Sequence, residues 1–429
     1  MIPIPMVFAA VLQAVAPPPF DSIGARQIFD LVSRIAGEDR GRLWGRSLDG
    51  PVLLVDPATR RVFANRAGAA ARWTSSGNVF AGTLPDGQAS ANTAVTLDGE
   101  RWTMVMWPLP ADAASRRQLL AHELWRRIQD SLGLPVRDPQ NPQVDDELGR
   151  VLLRLESRAL GRAIAGKGID QAAALVTARS FREERHRRYP GSDSTEALVE
   201  RHEGLAEYTG VRMAGGSIAD QRRIAVKALT DLESREHLTR SFAYATGPAY
   251  GLLLDEVRPG WRLELGRGLG PAQLARRAIG VTLFDARRLA IEEGRLGGPM
   301  IRAEEAGHAE QRVSRRRGLI DRFVTGRLLV LPLASSSITF DPNQVEGLDS
   351  LGTHYCRMEL SGEWGVLDAV GGGRIGAGFR EAFVPVQPGF TAEQRAGPGW
   401  TLELHAGWRI AADSVAGRWR VERVGKQVP

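Results

Sequence analysis

The chain has 429 residues, of which 43% are hydrophobic and 25% are charged, and its formal net charge at pH 7 is +6. These values are typical of a folded protein with more than one domain, and they exclude an intrinsically disordered chain and a membrane protein with several spans. The arginines are scattered through helical patterns and form no basic stripe with interspersed aromatic residues, so we expect no nucleic-acid binding.

The single cysteine, Cys356, excludes an intrachain disulfide and a cysteine-based zinc site. Its strand-like surroundings, "THYCRMEL", predict a buried thiol.

The N-terminal segment, "MIPIPMVFAAVLQAVAPPPFD", contains an apolar run of signal-peptide length that ends in the triplet Ala14-Val15-Ala16. We therefore predict a signal peptide over residues 1–18 and an exported, periplasmic or secreted, protein of a bacterial cell. An N-terminal strand or membrane anchor is the alternative interpretation, and a cytoplasmic location stays open. No later apolar run is long enough to span a membrane.

Residues 19–110 are predicted to form a β-rich subdomain. A short helix over 21–35 opens it, because its apolar residues recur on one side. Five strand-like runs follow, and Asp98-Gly99 supplies a hairpin turn between the last two. The pattern predicts a largely antiparallel sheet.

Residues 111–325 change to helical periodicity, and residues 326–429 return to short strands separated by turns rich in Gly, Pro and Asp. The expected fold class is therefore α+β, with an N-terminal antiparallel sheet, a helical core and a C-terminal all-β domain of sandwich type. The predicted helices of the core cover 113–131, 145–165, 170–188, 195–212, 218–233, 237–257 and 303–324.

The helix that follows the apolar strand "WTMVMWPLP" contains the sequence "HELWR". A zinc-peptidase helix carries two histidines four residues apart, because one helical turn brings both rings to the same face, and a glutamate beside the first acts as general base. Here His122 and Glu123 match this pattern. The second histidine position is occupied by Arg126.

Two later segments complete a resemblance to a known family. "HEGLAEY" resembles the "NExxAxY" segment of gluzincin metallopeptidases of the aminopeptidase type, and "YATG" is similar to their "YxxG" segment. The resemblance implies a zinc cofactor held by His122 and Glu203, Glu123 as the base, and Tyr244 as the group that supports the oxyanion. Glu207, one helical turn beyond Glu203, is a candidate second carboxylate that orients His122. A solvated acidic helix face over Glu196, Glu200, Glu203 and Glu207 is the simpler alternative.

Arg126 departs from the family pattern in a way that matters chemically. Its guanidinium stays protonated and has no lone pair, so it cannot bind a metal ion. At about 4 Å from Zn²⁺ and an effective dielectric near 20, it would repel the ion by on the order of 8 kcal/mol. We therefore expect zinc to be absent or weakly bound, and we expect Arg126 to form an ion pair with Glu203 in the place of the metal.

The sequence leaves three functions open. The first is a gluzincin-like protein with an impaired or lost peptidase activity, which binds a peptide or protein in the remaining cleft. The second is an active zinc peptidase that uses His122, Glu203 and an unrecognised third ligand. The third is a non-enzymatic envelope scaffold or interaction protein. The oligomeric state is not indicated by the sequence.

Overall fold

The computed structural model describes residues 19–68, 73–77, 79–85, 88–137, 139, 141–280, 284–334, 336–340 and 344–425. The fold is α+β, as predicted, with an N-terminal sheet, a helical region and a C-terminal all-β region that holds two sheets. The predicted signal peptide over 1–18 lies outside the described residues. Within them, no helix combines the length and apolarity needed to cross a membrane.

By compactness the chain divides into two units. The first contains the described residues up to Pro85 together with those of Ser90–Glu305, and the second combines Gln88 and Ala89 with the described residues from Ala306 onward. The N-terminal sheet and the helices thus belong to one unit, whereas the sequence suggested two segments that meet near residue 110. The second unit begins at Ala306, ahead of the expected boundary at 326.

The N-terminal sheet has six strands in the order β3-β4-β2-β1-β6-β5. All neighbours pair antiparallel except β1 and β6, which run parallel with Val52 opposite Thr103. The strands are β1 Val52–Val55, β2 Arg61–Ala64, β3 Thr74–Ser76, β4 Val79–Thr83, β5 Thr93–Leu97 and β6 Glu100–Met106.

Both faces of this sheet are covered, which explains the continuous apolar run of β1. Val52 and Leu54 join the large core that the helices share, while Leu53 and Val55 join a smaller cluster on the opposite face. Successive side chains of a strand point to opposite faces, so such a run is expected when neither face meets water.

The helices of the first unit agree with the predicted positions to within a few residues, with two exceptions. The predicted helix 195–212 is interrupted by a π-helical turn, Glu200–Gly204, and α9 and α10 were not predicted. The helices are α1 Ser22–Asp39, α2 Ala113–Ile128, α3 Glu147–Ala165, α4 Gly168–Arg188, α5 Ser192–Val199, α6 Leu205–Met213, α7 Ile218–Leu232, α8 Ala243–Val257, α9 Pro271–Ile279, α10 Ala286–Arg295 and α11 Gly298–Ile320.

The second unit is a β-sandwich with one core. A seven-stranded sheet, β17-β18-β7-β14-β13-β10-β9, and a five-stranded sheet, β15-β16-β12-β11-β8, both contribute buried side chains to the same cluster. The strands are β7 Leu328–Pro332, β8 Ser337–Phe340, β9 Val345–Gly347, β10 Thr353–Tyr355, β11 Met358–Gly362, β12 Gly365–Ala369, β13 Gly373–Ile375, β14 Glu381–Pro385, β15 Ala396–Gly397, β16 Trp400–Leu404, β17 Trp408–Ala412 and β18 Arg418–Arg423.

The predicted burial of Cys356 is wrong. The residue follows the last position of β10 and is exposed. The run "THYCRMEL", predicted as one continuous strand, is interrupted at Cys356 and Arg357 by a bend that separates β10 from β11.

Helix α8 crosses the π-helical turn at Gly247, where the two backbones nearly touch. A Cβ added to Gly247 would lie 2.3 Å from the Cα of Gly204, a distance that neither backbone can accommodate without moving. We expect Gly247→Ala to lower the free energy of unfolding by about 3 kcal/mol or more. Urea denaturation followed by far-UV circular dichroism measures this change.

Gly161→Ala is the matched control. Gly161 lies inside α3, and a Cβ there would meet no atom within 4 Å. Because alanine favours the helix, this substitution should raise the free energy of unfolding by up to about 1 kcal/mol. Equal effects of the two substitutions would contradict the close crossing.

Because of His354, we expect the stability of the sandwich to depend on pH. The ring is 6% exposed and lies 4.7 Å from the ring of Phe323. Burial, assisted by the charge of Arg322, lowers the pKa of His354 to about 4. Since the pKa is lower in the folded state, the resulting stability is fully present above the ordinary histidine pKa of about 6.5 and is lost as the pH falls toward 4. We expect a loss of roughly 1 to 3 kcal/mol from this residue over that interval.

Thermal unfolding of the wild type and of His354→Gln between pH 7 and pH 4 tests this expectation. The glutamine variant should show a smaller loss of stability with acid, because it cannot take up the proton. Identical pH profiles would show that His354 does not contribute.

Candidate functional site

Helix α2 presents the "HELWR" residues to the interior of the first unit. Asp112 caps its start, and the Asp112 side chain accepts a hydrogen bond of 2.8 Å from the backbone N–H of Ser115. One turn of this helix separates His122 from Arg126 and places them on the same face. His122 is 5% exposed, Glu123 4% and Arg126 8%, so all three are buried.

The π-helical turn supplies the facing carboxylate. Glu203 lies in this turn, and Glu207 follows in α6. The two glutamates bind opposite sides of the same imidazole, since Glu207 Oε2 lies 2.8 Å from His122 Nδ1 and Glu203 Oε2 lies 3.4 Å from His122 Nε2. A π turn inside a helix is often found at a functional site.

The Glu203 carboxylate is 2% exposed and is surrounded by donors and cations. Tyr244 donates a hydrogen bond of 2.6 Å to Oε2. The other oxygen, Oε1, lies 3.5 Å from Arg126 Nη1 and is bound by Arg240 Nη2. Burial alone would raise the pKa of Glu203, but the hydrogen bond from His122 and the charges of Arg126 and Arg240 outweigh it and hold the pKa well below its usual range.

The surroundings of His122 favour the protonated form of its ring. Burial opposes protonation, but the hydrogen bonds to Glu203 and Glu207, together with the charge of Glu123, raise the pKa of His122 to about 10. Each ring nitrogen lies within 3.4 Å of a carboxylate oxygen, one of Glu207 and one of Glu203. The ring also stacks on Tyr244, with ring centroids 5.6 Å apart.

Glu123, which the resemblance marks as the general base, has one buried oxygen, Oε2, that accepts no hydrogen bond from the residues that the structure describes. Burial raises the pKa of Glu123 to about 7, against the opposing charges of His122 and Arg126.

All six residues that the sequence indicated therefore meet in one cluster, namely His122, Glu123, Arg126, Glu203, Glu207 and Tyr244. The simpler alternative, a solvated acidic face, is wrong, because Glu196 and Glu200 are 0% exposed and Glu203 is 2% exposed. The expected contact between Arg126 and Glu203 is present at 3.5 Å, through one guanidinium nitrogen. Arg126 Nη1 also lies 3.4 Å from Gln129 Oε1 and from the carbonyl oxygen of His202.

Sequence reasoning missed Arg240 and Gln118. Arg240 precedes Tyr244 by four residues, so helical spacing places both on one side of the chain, and this spacing was a usable signal. Gln118 donates a hydrogen bond of 2.5 Å to Glu207 Oε1. It lies four residues before His122 on the same face of α2.

Acidic and basic side chains are equal in number in this cluster. The carboxylates of Glu123, Glu203 and Glu207 face the cations His122, Arg126 and Arg240. Among the residues that the structure describes, no three histidine, cysteine, aspartate or glutamate side chains are arranged to hold a metal.

Removal of the central carboxylate should cost more than removal of one cation. Glu203→Gln leaves Arg126, Arg240 and His122 facing a neutral amide, so we expect the free energy of unfolding to fall by about 3 to 5 kcal/mol. Arg126→Met should cost less, about 1 to 2 kcal/mol, because Glu203 keeps three other partners. Urea denaturation at pH 7 measures both.

Lys227→Met is the control, since the ion pair of Lys227 with Asp231 is exposed and should contribute less than about 1 kcal/mol. An Arg126→Met effect as large as that of Glu203→Gln would show that Glu203 is not the centre of the cluster.

Comparisons of the chain with protein-family models, with curated proteins and with solved structures found no match.

Proposed function

We propose that this chain is a gluzincin-like protein in which an ionic cluster has replaced the zinc site, and that it binds a peptide or protein without hydrolysing it. The observation that carries the proposal is the position of Arg126. Its guanidinium lies 3.5 Å from Glu203, the residue that the resemblance marks as a zinc ligand.

The donor set supports the loss of the metal. Zinc sites in peptidases use three protein ligands and one open position for water. Here Glu203 already serves Tyr244, Arg126, Arg240 and His122, and the imidazole of His122 is occupied on both nitrogens. A metal ion would have to displace these partners and also remain beside two guanidinium groups, which repel it.

Peptide binding at this position would use the outer part of the cluster. The Arg240 side chain is 43% exposed although its partner Glu203 is 2% exposed. A guanidinium that is partly accessible can bind a carboxylate of a peptide. Binding here requires no activated water, so Glu123 and Tyr244 keep no catalytic role.

A second candidate function is that of a scaffold or interaction protein that leaves this position unused. The burial of His122, Glu123 and Arg126 favours it, because little of the cluster reaches the surface. The C-terminal sandwich, which has a core of its own, would then supply the interaction surface.

Metal content tests the proposal. We expect purified wild-type protein to contain far less than one zinc per chain and to show no chelator-sensitive peptidase activity. Arg126→His combined with Arg240→Ala restores a ligand and removes both cations beside Glu203, so zinc binding should rise at least tenfold. Plasma mass spectrometry and zinc titration measure both quantities.

Arg127→His is the matched control, because the adjacent Arg127 points away from the cluster and donates to the carbonyl oxygens of Leu48 and Asp49. This variant should bind no more zinc than the wild type. Stoichiometric zinc in the unmodified protein, or peptidase activity that a chelator abolishes, would overturn the proposal in favour of an active enzyme.

A further inference from the structure

A second concave region of the first unit shares no residue with the His122 cluster. It is a cleft of about 620 Å³ whose lining residues come from α4, from α9 and from the start of α5. This volume is within the range that small-molecule sites occupy.

Helical spacing turns arginines from two helices into the cleft. On α4, Arg179 and Arg187 lie eight residues apart and share a face, and on α9, Arg276 and Arg277 line the opposite side. Four arginines thus line one concavity.

Arg179 is the unusual member of this set. The residue is 1% exposed, and its Nη2 donates to Glu183. Its Nε and Nη1 atoms are buried without a hydrogen-bond partner among the described residues. A buried cationic donor without a partner costs free energy, and native proteins leave few such groups unsatisfied. The missing acceptor points to a ligand.

The acidic residues that line the cleft do not provide a hydrogen-bond acceptor for every arginine donor there. Glu183 is shared between Arg179 and Arg276, with Arg276 Nη1 at 3.2 Å. Arg187 pairs outside the cleft, with Glu184 at 2.7 Å. Asp193 is exposed and forms no ion pair in the part of the chain that the structure describes, and the same holds for Arg277. Several guanidinium donors therefore remain available.

We infer that this cleft binds a small molecule that carries a phosphate group. A phosphate ester presents several acceptor oxygens at one point, and the planar fork of arginine binds such oxygens through paired hydrogen bonds. Arg276 and Arg277 engage the phosphate from α9, and Arg179 supplies unpaired donors from α4. The remainder of the cleft holds the organic part of the molecule.

Titration calorimetry with phenyl phosphate tests this inference. Saturable binding is expected at constant ionic strength, with inorganic phosphate binding more weakly and phenol not at all. Arg276→Gln together with Arg277→Gln should weaken phenyl phosphate at least tenfold, because each charged hydrogen bond is lost. The side chain of Arg276 is 59% exposed, so this variant should fold normally.

Arg223→Gln together with Lys227→Gln is the control, because both side chains are exposed on α7 and the change in net charge is the same. It should leave the affinity within about twofold. Absence of saturable binding would overturn the inference, as would an equal loss in both double variants, since that would indicate attraction by net charge alone. Equal affinity for inorganic phosphate and phenyl phosphate would show a site for an ion only and would overturn the small-molecule assignment.

Discussion

The buried carboxylate of Glu203 is the constraint on which the centre of the first unit depends. Removal of an ionised group from water costs several kcal/mol, and the cost is recovered only when partners surround it. His122, Arg126, Arg240 and Tyr244 provide those partners from α2, from the turn before α8 and from α8 itself. The Glu203 carboxylate thereby connects elements that are distant in the sequence.

A second buried network fixes the turn that carries Glu203. Arg182 binds Glu200, at the start of the π-helical turn, through two hydrogen bonds of 3.0 and 2.6 Å, and it binds Glu156 of α3 at 2.6 Å. Helix α8 contributes Thr246 and Tyr250, which donate to Glu200 and to Glu156. These two residues flank Gly247, where α8 touches the turn. The close backbone crossing and the buried ion pairs therefore support each other, and small shifts of α8 would disturb both networks.

Much of this arrangement could be predicted from short-range patterns. Helical spacing placed His122 and Arg126 on one face, and the two later motifs identified Glu203 and Tyr244. Other features required knowledge of the tertiary structure. The parallel pairing of β1 with β6 joins strands that are far apart in the chain, and the exposure of Cys356 depends on a bend after β10. The burial of Glu196 and Glu200 was hidden because their arginine partners lie on α4, and no local pattern reveals which charges will meet.

The two groups of arginines differ in a way that bears on where this molecule can bind a ligand. In the His122 cluster, every guanidinium near Glu203 has a carboxylate partner, and the opposing charges are equal in number. A ligand that entered the buried part of this cluster would have to displace an existing partner and separate buried charges, and only the exposed part of Arg240 avoids that cost. In the cleft of Arg179, two nitrogens of that side chain have no acceptor among the described residues. An anion that binds there forms new hydrogen bonds and has to break few existing ones. Binding costs less free energy when the groups that hold the ligand are already ordered before it arrives. The cleft between α4 and α9 is therefore the more favourable place for a small anionic ligand, although the sequence motifs point to the other.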